Sequence, residues 1–308
     1  MQFRRFIFLI LASSLLSSCD KIGNIFQEKD LLQRPVAKRC SDCHTEIYNQ
    51  WKESRHAVSW ISEHYKKASG NYTEVCISCH VPYEITAYEK PKSRDFHRED
   101  GINCASCHFK DSTKSMHGPY DVFSPPHPST KDELYTKADI CSGCHQETFK
   151  QWKTASVERS CQECHMPAKE GKLIQKFPFN LMHASKPVHD HSFKVPTPKK
   201  DFFDIQITKQ DKNLNLVVIN KKIPHNIPTG DNGNPKYYID VSFLKDKQIV
   251  YTDSAMITKK ENEAIPYNQP REISFYSPAD FDEVKITFSR KLSWQDKPEK
   301  IFDIKKSF

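Results

Sequence analysis

The sequence predicts an α+β multidomain chain, a mainly helical region followed by an all-β sandwich of immunoglobulin-like type. Three observations carry that expectation. Ten of the eleven cysteines lie between residues 40 and 164, in five closely spaced pairs, and none occurs later. Beyond about residue 200, short segments appear in which β-branched and aromatic residues alternate with polar ones. Apolar residues make up only 37% of the chain, at a mean hydropathy of −0.70. Side chains alone would then bury a modest core, and large apolar cofactors are expected to fill the interior of the first region. At 308 residues there is room for two domains of ordinary size.

The first eighteen residues read as a signal peptide. Arg4 and Arg5 form its charged start, residues 6–16 its short apolar run, and Ser17 and Ser18 its small-residue end. The run is too short for a stop-transfer helix. Leu16-Ser17-Ser18-Cys19 resembles the bacterial lipobox, in which Cys19 becomes the acylated first residue; the alternative is an ordinary leader cleaved at small residues. Acylation accounts for the one cysteine outside the pairs. The expectation is an exported bacterial lipoprotein on the periplasmic side of the inner membrane or on the outer membrane. It would meet the membrane through its N-terminal lipid, with residues 19–36 as a tether.

Each internal cysteine pair belongs to one pentapeptide. The five are Cys40-Ser-Asp-Cys43-His44, Cys76-Ile-Ser-Cys79-His80, Cys104-Ala-Ser-Cys107-His108, Cys141-Ser-Gly-Cys144-His145 and Cys161-Gln-Glu-Cys164-His165. This spacing is the attachment motif of c-type haem. Two thiols three residues apart meet the two vinyl groups of the porphyrin, and the adjacent histidine binds iron as the proximal ligand. Five covalently bound haems c are therefore expected, with His44, His80, His108, His145 and His165 proximal. Zinc ribbons pair their CxxC units and do not require a histidine after each. A redox CxxC is expected once, beside a βαβ pattern that is missing here. CxxC disulfides leave the histidines unexplained.

All five motifs fall between Cys40 and His165, so the haems must lie near one another and electrons could hop between them. The net charge of +7 then serves to offset haem propionates. It does not mark a nucleic-acid partner, and none is expected. Residues 37–200 form the pentahaem region and residues 201–308 the β region. Expected strands are 203–209, 214–220, 237–245, 248–258, 272–277, 283–290 and 301–305, with turn signals at 211–213 and 246–247.

Two stretches of the haem region repeat. Glu46, Tyr48, Gln50, Trp51 and Lys52 follow His44 at the same offsets at which Glu147, Phe149, Gln151, Trp152 and Lys153 follow His145. Offsets of four and seven put Tyr48 and Trp51 on one helical face. If that helix continues to His56, it spans about 18 Å at about 1.5 Å per residue. His56 could then not share the iron of His44 and would reach a neighbouring haem.

Distal ligands must come from the nine remaining histidines. In falling order the candidates are His56, His117, His127, His191, His183 and His225. Of His189 and His191, two apart in an extended segment, at most one is expected to bind a given haem, and His191, just before Phe193, is favoured. His64 and His97 read as structural, and Met116 and Met182 are weak alternatives. The second repeat carries Val157 where the first has His56. One haem must therefore find its ligand elsewhere or keep an open position.

The sequence resembles the multihaem cytochrome superfamily that includes the c-552/c-554 type, the tetrahaem cytochrome of nitrifiers, hydroxylamine oxidoreductase and the pentahaem nitrite reductases. The resemblance rests on Cys40-x-x-Cys43-His44 with Tyr48, Trp51, Ser54, His56 and Ala57, then on Asp100-Gly101-Ile-Asn-Cys104-x-Ser-Cys107-His108. It continues in Cys161-x-x-Cys164-His165-Met166-Pro167. It implies a distal role for His56. The stretch His225-Asn-Ile-Pro228-Thr229-Gly230 is similar to an element of β domains appended to such cytochromes. The lysine-ligated CxxCK haem of the nitrite reductases has no counterpart here. Nor does the tyrosine cross-link machinery of hydroxylamine oxidoreductase. The resemblance implies haem arrangement more than activity; the leading expectation is an electron carrier with mostly bis-His haems, exchanging electrons with redox protein donors and acceptors in an exported respiratory chain. The alternative is a reductase of a small nitrogen oxide, of the nitrite or hydroxylamine type, that takes its substrate at one five-coordinate haem.

Overall fold

The computed structural model describes residues 29–70, 74–122 and 126–308. The leader, Cys19 and the first part of the tether lie outside them. Among the described residues no helix is long and apolar enough to cross a membrane. Two compact units result: one runs up to Gly143 and resumes over Cys161–Lys194, and the other joins Cys144–Ser160 to Val195–Phe308.

In the first unit short helices are strung between turns: α1 (Ala37–Cys40), α2 (Thr45–Lys52), α3 (Glu63–Ser69), α4 (Glu74–His80) and α5 (Cys104–His108). Strands β1 (Phe109–Lys110), β2 (Ser115–Gly118) and β3 (Ser129–Lys131) form a small sheet behind the third motif. Most of these helices are too short to stand alone, so tertiary hydrogen bonds fix them. Asp100 Oδ2 accepts the Ala37 N–H at the start of α1, at 2.7 Å. Asn103 caps α5 by accepting the Ser106 N–H at 2.9 Å. Trp51 Nε1 donates to the Ile102 carbonyl at 2.8 Å. The helix after the first motif is shorter than its pattern suggests. It stops at Lys52, and His56 lies in a following series of turns, held by its carbonyl to the Ile102 N–H at 3.0 Å. The long-helix argument for His56 is thereby corrected: pairing with Ile102 overrides local periodicity.

The second unit opens with α6 (Gln146–Ala155), and the first resumes with α7 (Cys161–His165) and the hairpin of β4 (Ala168–Gly171) and β5 (Lys186–His189). The β region then follows the expected strands closely: β6 (Phe203–Gln210), β7 (Asn213–Asn220), β8 (Lys236–Lys245), β9 (Gln248–Ile257), β10 (Pro270–Tyr276), β11 (Glu283–Lys291) and β12 (Glu299–Ser307). They form antiparallel sheets in the orders β10-β7-β6 and β12-β11-β8-β9. Period-two alternation turns Leu214, Leu216 and Val218 of β7 into one core with Ile239, Val241 and Phe243 of β8 and Val284, Ile286 and Phe288 of β11. Each such side chain contributes about 1.5–3 kcal/mol by leaving water. Asp246 and Lys247 both take the left-handed conformation that a tight β8–β9 hairpin requires.

The first unit has no comparable apolar cluster among its described residues. Ala37, Trp51 and Ala57 form a small one, flanked by Tyr48, Cys104 and Phe193. Among the described residues the buried apolar side chains are thus concentrated in the β region.

Candidate haem sites

Four of the five motif imidazoles are oriented by one recurring device. His44 Nδ1 donates to the Leu173 carbonyl at 2.6 Å, His80 Nδ1 to Ser59 at 2.7 Å, His108 Nδ1 to His117 at 2.7 Å and His165 Nδ1 to Lys194 at 2.8 Å. A carbonyl can only accept, so the proton sits on Nδ1 and the Nε2 lone pair is left for a metal. His145 differs: its Nδ1 lies 3.7 Å from Asp231 Oδ2. Burial lowers the pKa of His44 and His80 and takes that of His108 down to about 4, which keeps these rings neutral.

Aromatic rings flank two of them. Tyr65 stacks on His80 at 3.8 Å between centroids, and Tyr135 stacks on His108 at 5.0 Å. Two buried arginines hold the third motif. Arg94 donates to the Pro82 carbonyl at 2.8 Å, to Ser106 Oγ at 3.0 Å and to the Gly101 carbonyl. Arg34 donates to the Ala105 carbonyl at 3.2 Å and the Phe109 carbonyl at 3.3 Å.

Cysteines of different motifs meet. The Cys40 and Cys104 thiols hydrogen-bond each other, as do those of Cys141 and Cys161. The first and third attachment points are thus neighbours, and so are the fourth and fifth. Among the described residues no three of His, Cys, Asp or Glu are grouped to hold a bare ion.

The fit to haem is tested by the distances between imidazoles. A metal–imidazole bond of about 2.0 Å on each side, with about 1.1 Å from nitrogen to ring centre, separates two rings on one ion by about 6.2 Å. His108 and His191 have ring centroids 6.2 Å apart, and His44 and His127 are 6.4 Å apart. The donor set therefore fits covalently bound haem: two thiols, one oriented imidazole and, in two cases, a second imidazole at axial distance.

The other candidates are placed differently. His117 serves the third motif through its backbone carbonyl. Its ring is held by Asp132 Oδ2 at 3.0 Å and Thr113 Oγ1 at 2.8 Å. His56 packs on Phe193, with ring centres 4.2 Å apart. His183 is close enough to His44 to depress its basicity. His189 turns Nδ1 to the Met166 carbonyl at 2.6 Å, on the hairpin next to the fifth motif. His225 lies in the second unit, one residue before the Asn226 N–H that Gln151 Oε1 accepts at 3.1 Å.

Sequence reasoning missed Asp231, the acceptor carbonyls and the two stacking tyrosines. Asp231 directly follows the quoted His225–Gly230 stretch, and that adjacency was its one signal. A carbonyl acceptor leaves no mark on residue identity.

Residues 39–109 match the family described as cytochrome c554 and c-prime. Among curated proteins none matches the chain in sequence. Among solved structures, the chain is similar to a penta-heme cytochrome c552 from Thermochromatium tepidum. That likeness has a TM-score of 0.62 and 17% identity over 90% of this chain and all of the other. A DUF3823 family protein from Bacteroides ovatus, with 12% identity over 40% of this chain and 64% of its own, reaches a TM-score of 0.24, too remote to bear on the fold. The matched residues carry the first three motifs, with them the proximal histidines of both ring pairs, and the family match together with the fold likeness supports a multihaem c-type cytochrome.

Proposed function

We propose that this protein is a lipid-anchored, exported multihaem c-type cytochrome that carries electrons through five haems c, mostly bis-His ligated, between redox partner proteins of a respiratory chain. A bound haem c supplies a one-electron iron couple. The protein's own residues do the rest. Two motif cysteines would hold each porphyrin, the proximal imidazoles present Nε2, and His127 and His191 would supply second imidazole ligands beside His44 and His108. His56, His183 and His225 are the remaining distal candidates, while the ring of His117 is committed to Asp132 and Thr113. Cys19 would carry the acyl chains on the periplasmic side of either membrane, and the β region would be an immunoglobulin-like docking or spacing module.

The observation that carries this reading is the pair of His–His separations, 6.2 and 6.4 Å. Saturated iron has no position for substrate. The thiol contacts Cys40–Cys104 and Cys141–Cys161 support close haem spacing. The test is electron paramagnetic resonance of the oxidised holoprotein, with haem counted from mass. Five haems without a high-spin ferric signal are expected. A dominant high-spin signal that shifts with nitrite or hydroxylamine would replace the carrier with the nitrogen-oxide reductase. Val157 in place of a second His56 favours that second reading at the fourth motif.

A further inference from the structure

The two repeats orient their proximal histidines with different chemistry. In the first, two neutral groups share the task. The Leu173 carbonyl accepts from His44 Nδ1 at 2.6 Å, and Gln175 Oε1 accepts the Glu46 N–H at 3.2 Å. In the second, one carboxylate occupies both places. Asp231 Oδ1 accepts the Glu147 N–H at 2.7 Å, and Asp231 Oδ2 lies 3.7 Å from His145 Nδ1. Four proximal histidines thus donate to backbone carbonyls, and only His145 faces a charged acceptor.

The surroundings of Asp231 are built to hold it there. Its backbone carbonyl accepts from Lys259 Nζ at 2.7 Å. Two residues earlier, Thr229 Oγ1 donates to Gln151 Oε1 at 2.8 Å and pairs with Thr148 Oγ1 at 3.0 Å. Those bonds tie the loop to α6, which starts directly after His145. Oδ2 is buried and has no hydrogen-bond partner. At 3.7 Å it is within ion-pair range but beyond a hydrogen bond. A buried carboxylate oxygen left unsatisfied is costly, and the Nδ1–H of His145 is the donor it faces.

We infer that Asp231 is a positioning residue for the fourth haem. In the holoprotein its Oδ2 accepts the Nδ1–H of His145, and the carboxylate sets that haem's potential below what a carbonyl acceptor would give. A carboxylate acceptor draws the proton and leaves the imidazole a more anionic, stronger donor, which favours ferric iron. Its negative charge acts in the same direction. The β region thereby tunes one haem by contributing a single side chain from the loop after His225. The inference rests on haem being attached at the fourth motif.

The test is spectroelectrochemical potentiometry on the full-length holoprotein, comparing wild type with Asp231→Asn, Asp231→Ser and Asp231→Glu, each with haem content checked by mass. In the two neutral variants one component should move to higher potential. Its reduced-to-oxidised ratio at a fixed potential should rise about tenfold, about 59 mV for a one-electron couple. The other components should stay, and Asp231→Glu should keep the wild-type curve. A fully haem-loaded neutral variant in which no component moves, or in which all move together, overturns the assignment. Should both neutral variants lose haem, the wild type decides. Its reduced-minus-oxidised infrared spectrum with carbon-13 aspartate must contain a carboxylate band that shifts with one haem, and its absence overturns the assignment. Reversible couples with no Asp231 effect sink this inference alone, whereas a protein without reversible couples sinks the proposed function.

Discussion

Gln50 accepts the backbone N–H of His191 through its side-chain oxygen at 3.0 Å. Gln151, at the matching place in the second repeat, accepts the N–H of Asn226 at 3.1 Å. What repeats is therefore more than a helix behind a haem motif. It is a helix whose glutamine grips a histidine-bearing segment from far along the chain. In both copies the helix begins on the residue after the proximal histidine, and the aromatic pair on its face is alike, Tyr48 with Trp51 at 5.7 Å and Phe149 with Trp152 at 5.5 Å.

Gln50→Ala should loosen His191 without removing it. The lost hydrogen bond is worth about 1 kcal/mol. The expected outcome is an unfolding free energy lowered by about that amount, read from a lower denaturant midpoint at unchanged slope, together with faster carbon monoxide binding to one ferrous haem as its axial ligand detaches more often. Flash-photolysis kinetics identical to wild type would mean that Gln50 does not govern this ligand.

His191→Ala and His127→Ala test the axial pairs directly. Each should convert one haem, a different one in each variant, from low-spin to high-spin ferric. The double variant should show twice the high-spin intensity of either single one, because the pairs His108–His191 and His44–His127 share no residue. Either single variant retaining a fully low-spin spectrum removes that histidine from the ligand set.

Gly101 lies close against the His56 turns, two residues before the cap of the third motif. Its φ of +56° lies in the left-handed region. A Cβ there would meet the His56 carbonyl, Ser59 Oγ and the Ala57 carbonyl, the last at 2.8 Å. Two of these are main chain and cannot swing away. Gly101→Ala is expected to destabilise by on the order of 2–4 kcal/mol and to reduce haem occupancy at Cys104/Cys107. Thermal unfolding and peptide-level haem mapping measure both. A variant as stable as wild type and fully loaded would show that the turn can relax.

The sequence carried much of this architecture because its strongest signals are local. CxxCH spacing marks attachment points, and alternation over residues 203–305 marks strands that fall within a few residues of their observed limits. Where the reading fell short, the determinants are tertiary. The helix after His44 ends at Lys52 because Ile102 bonds the His56 turn and Trp51. His117 looks like a ligand in sequence, yet it supplies a carbonyl to His108 and gives its ring to Asp132 and Thr113. Asp231 is silent in sequence because its role depends on a loop crossing to a helix about eighty residues earlier, a distance over which pattern carries no register.

Acid should weaken the motif-bearing unit before its carboxylates titrate. Burial lowers the pKa of His44, His80, His127 and His191, and takes that of His108 from 6.5 down to about 4. The unfolded chain therefore binds more protons than the folded one between these values. The sign follows from linkage: the stability of neutral rings is fully present above pH 6.5 and is lost as pH falls toward 4. For His108 alone the shift corresponds to about 3 kcal/mol, at about 1.4 kcal/mol per unit. Axial ligation acts in the same direction, because a protonated imidazole cannot bind iron. The carboxylates of Asp111 and Asp132, lowered from 3.8, act only below that window. Denaturant unfolding followed at 5 and at 7 should thus show a clear loss at the lower pH for haem-region probes. The β region, whose described histidine is His225, should change less. Equal stability of the haem region at both values would mean that its imidazoles are not held neutral by burial.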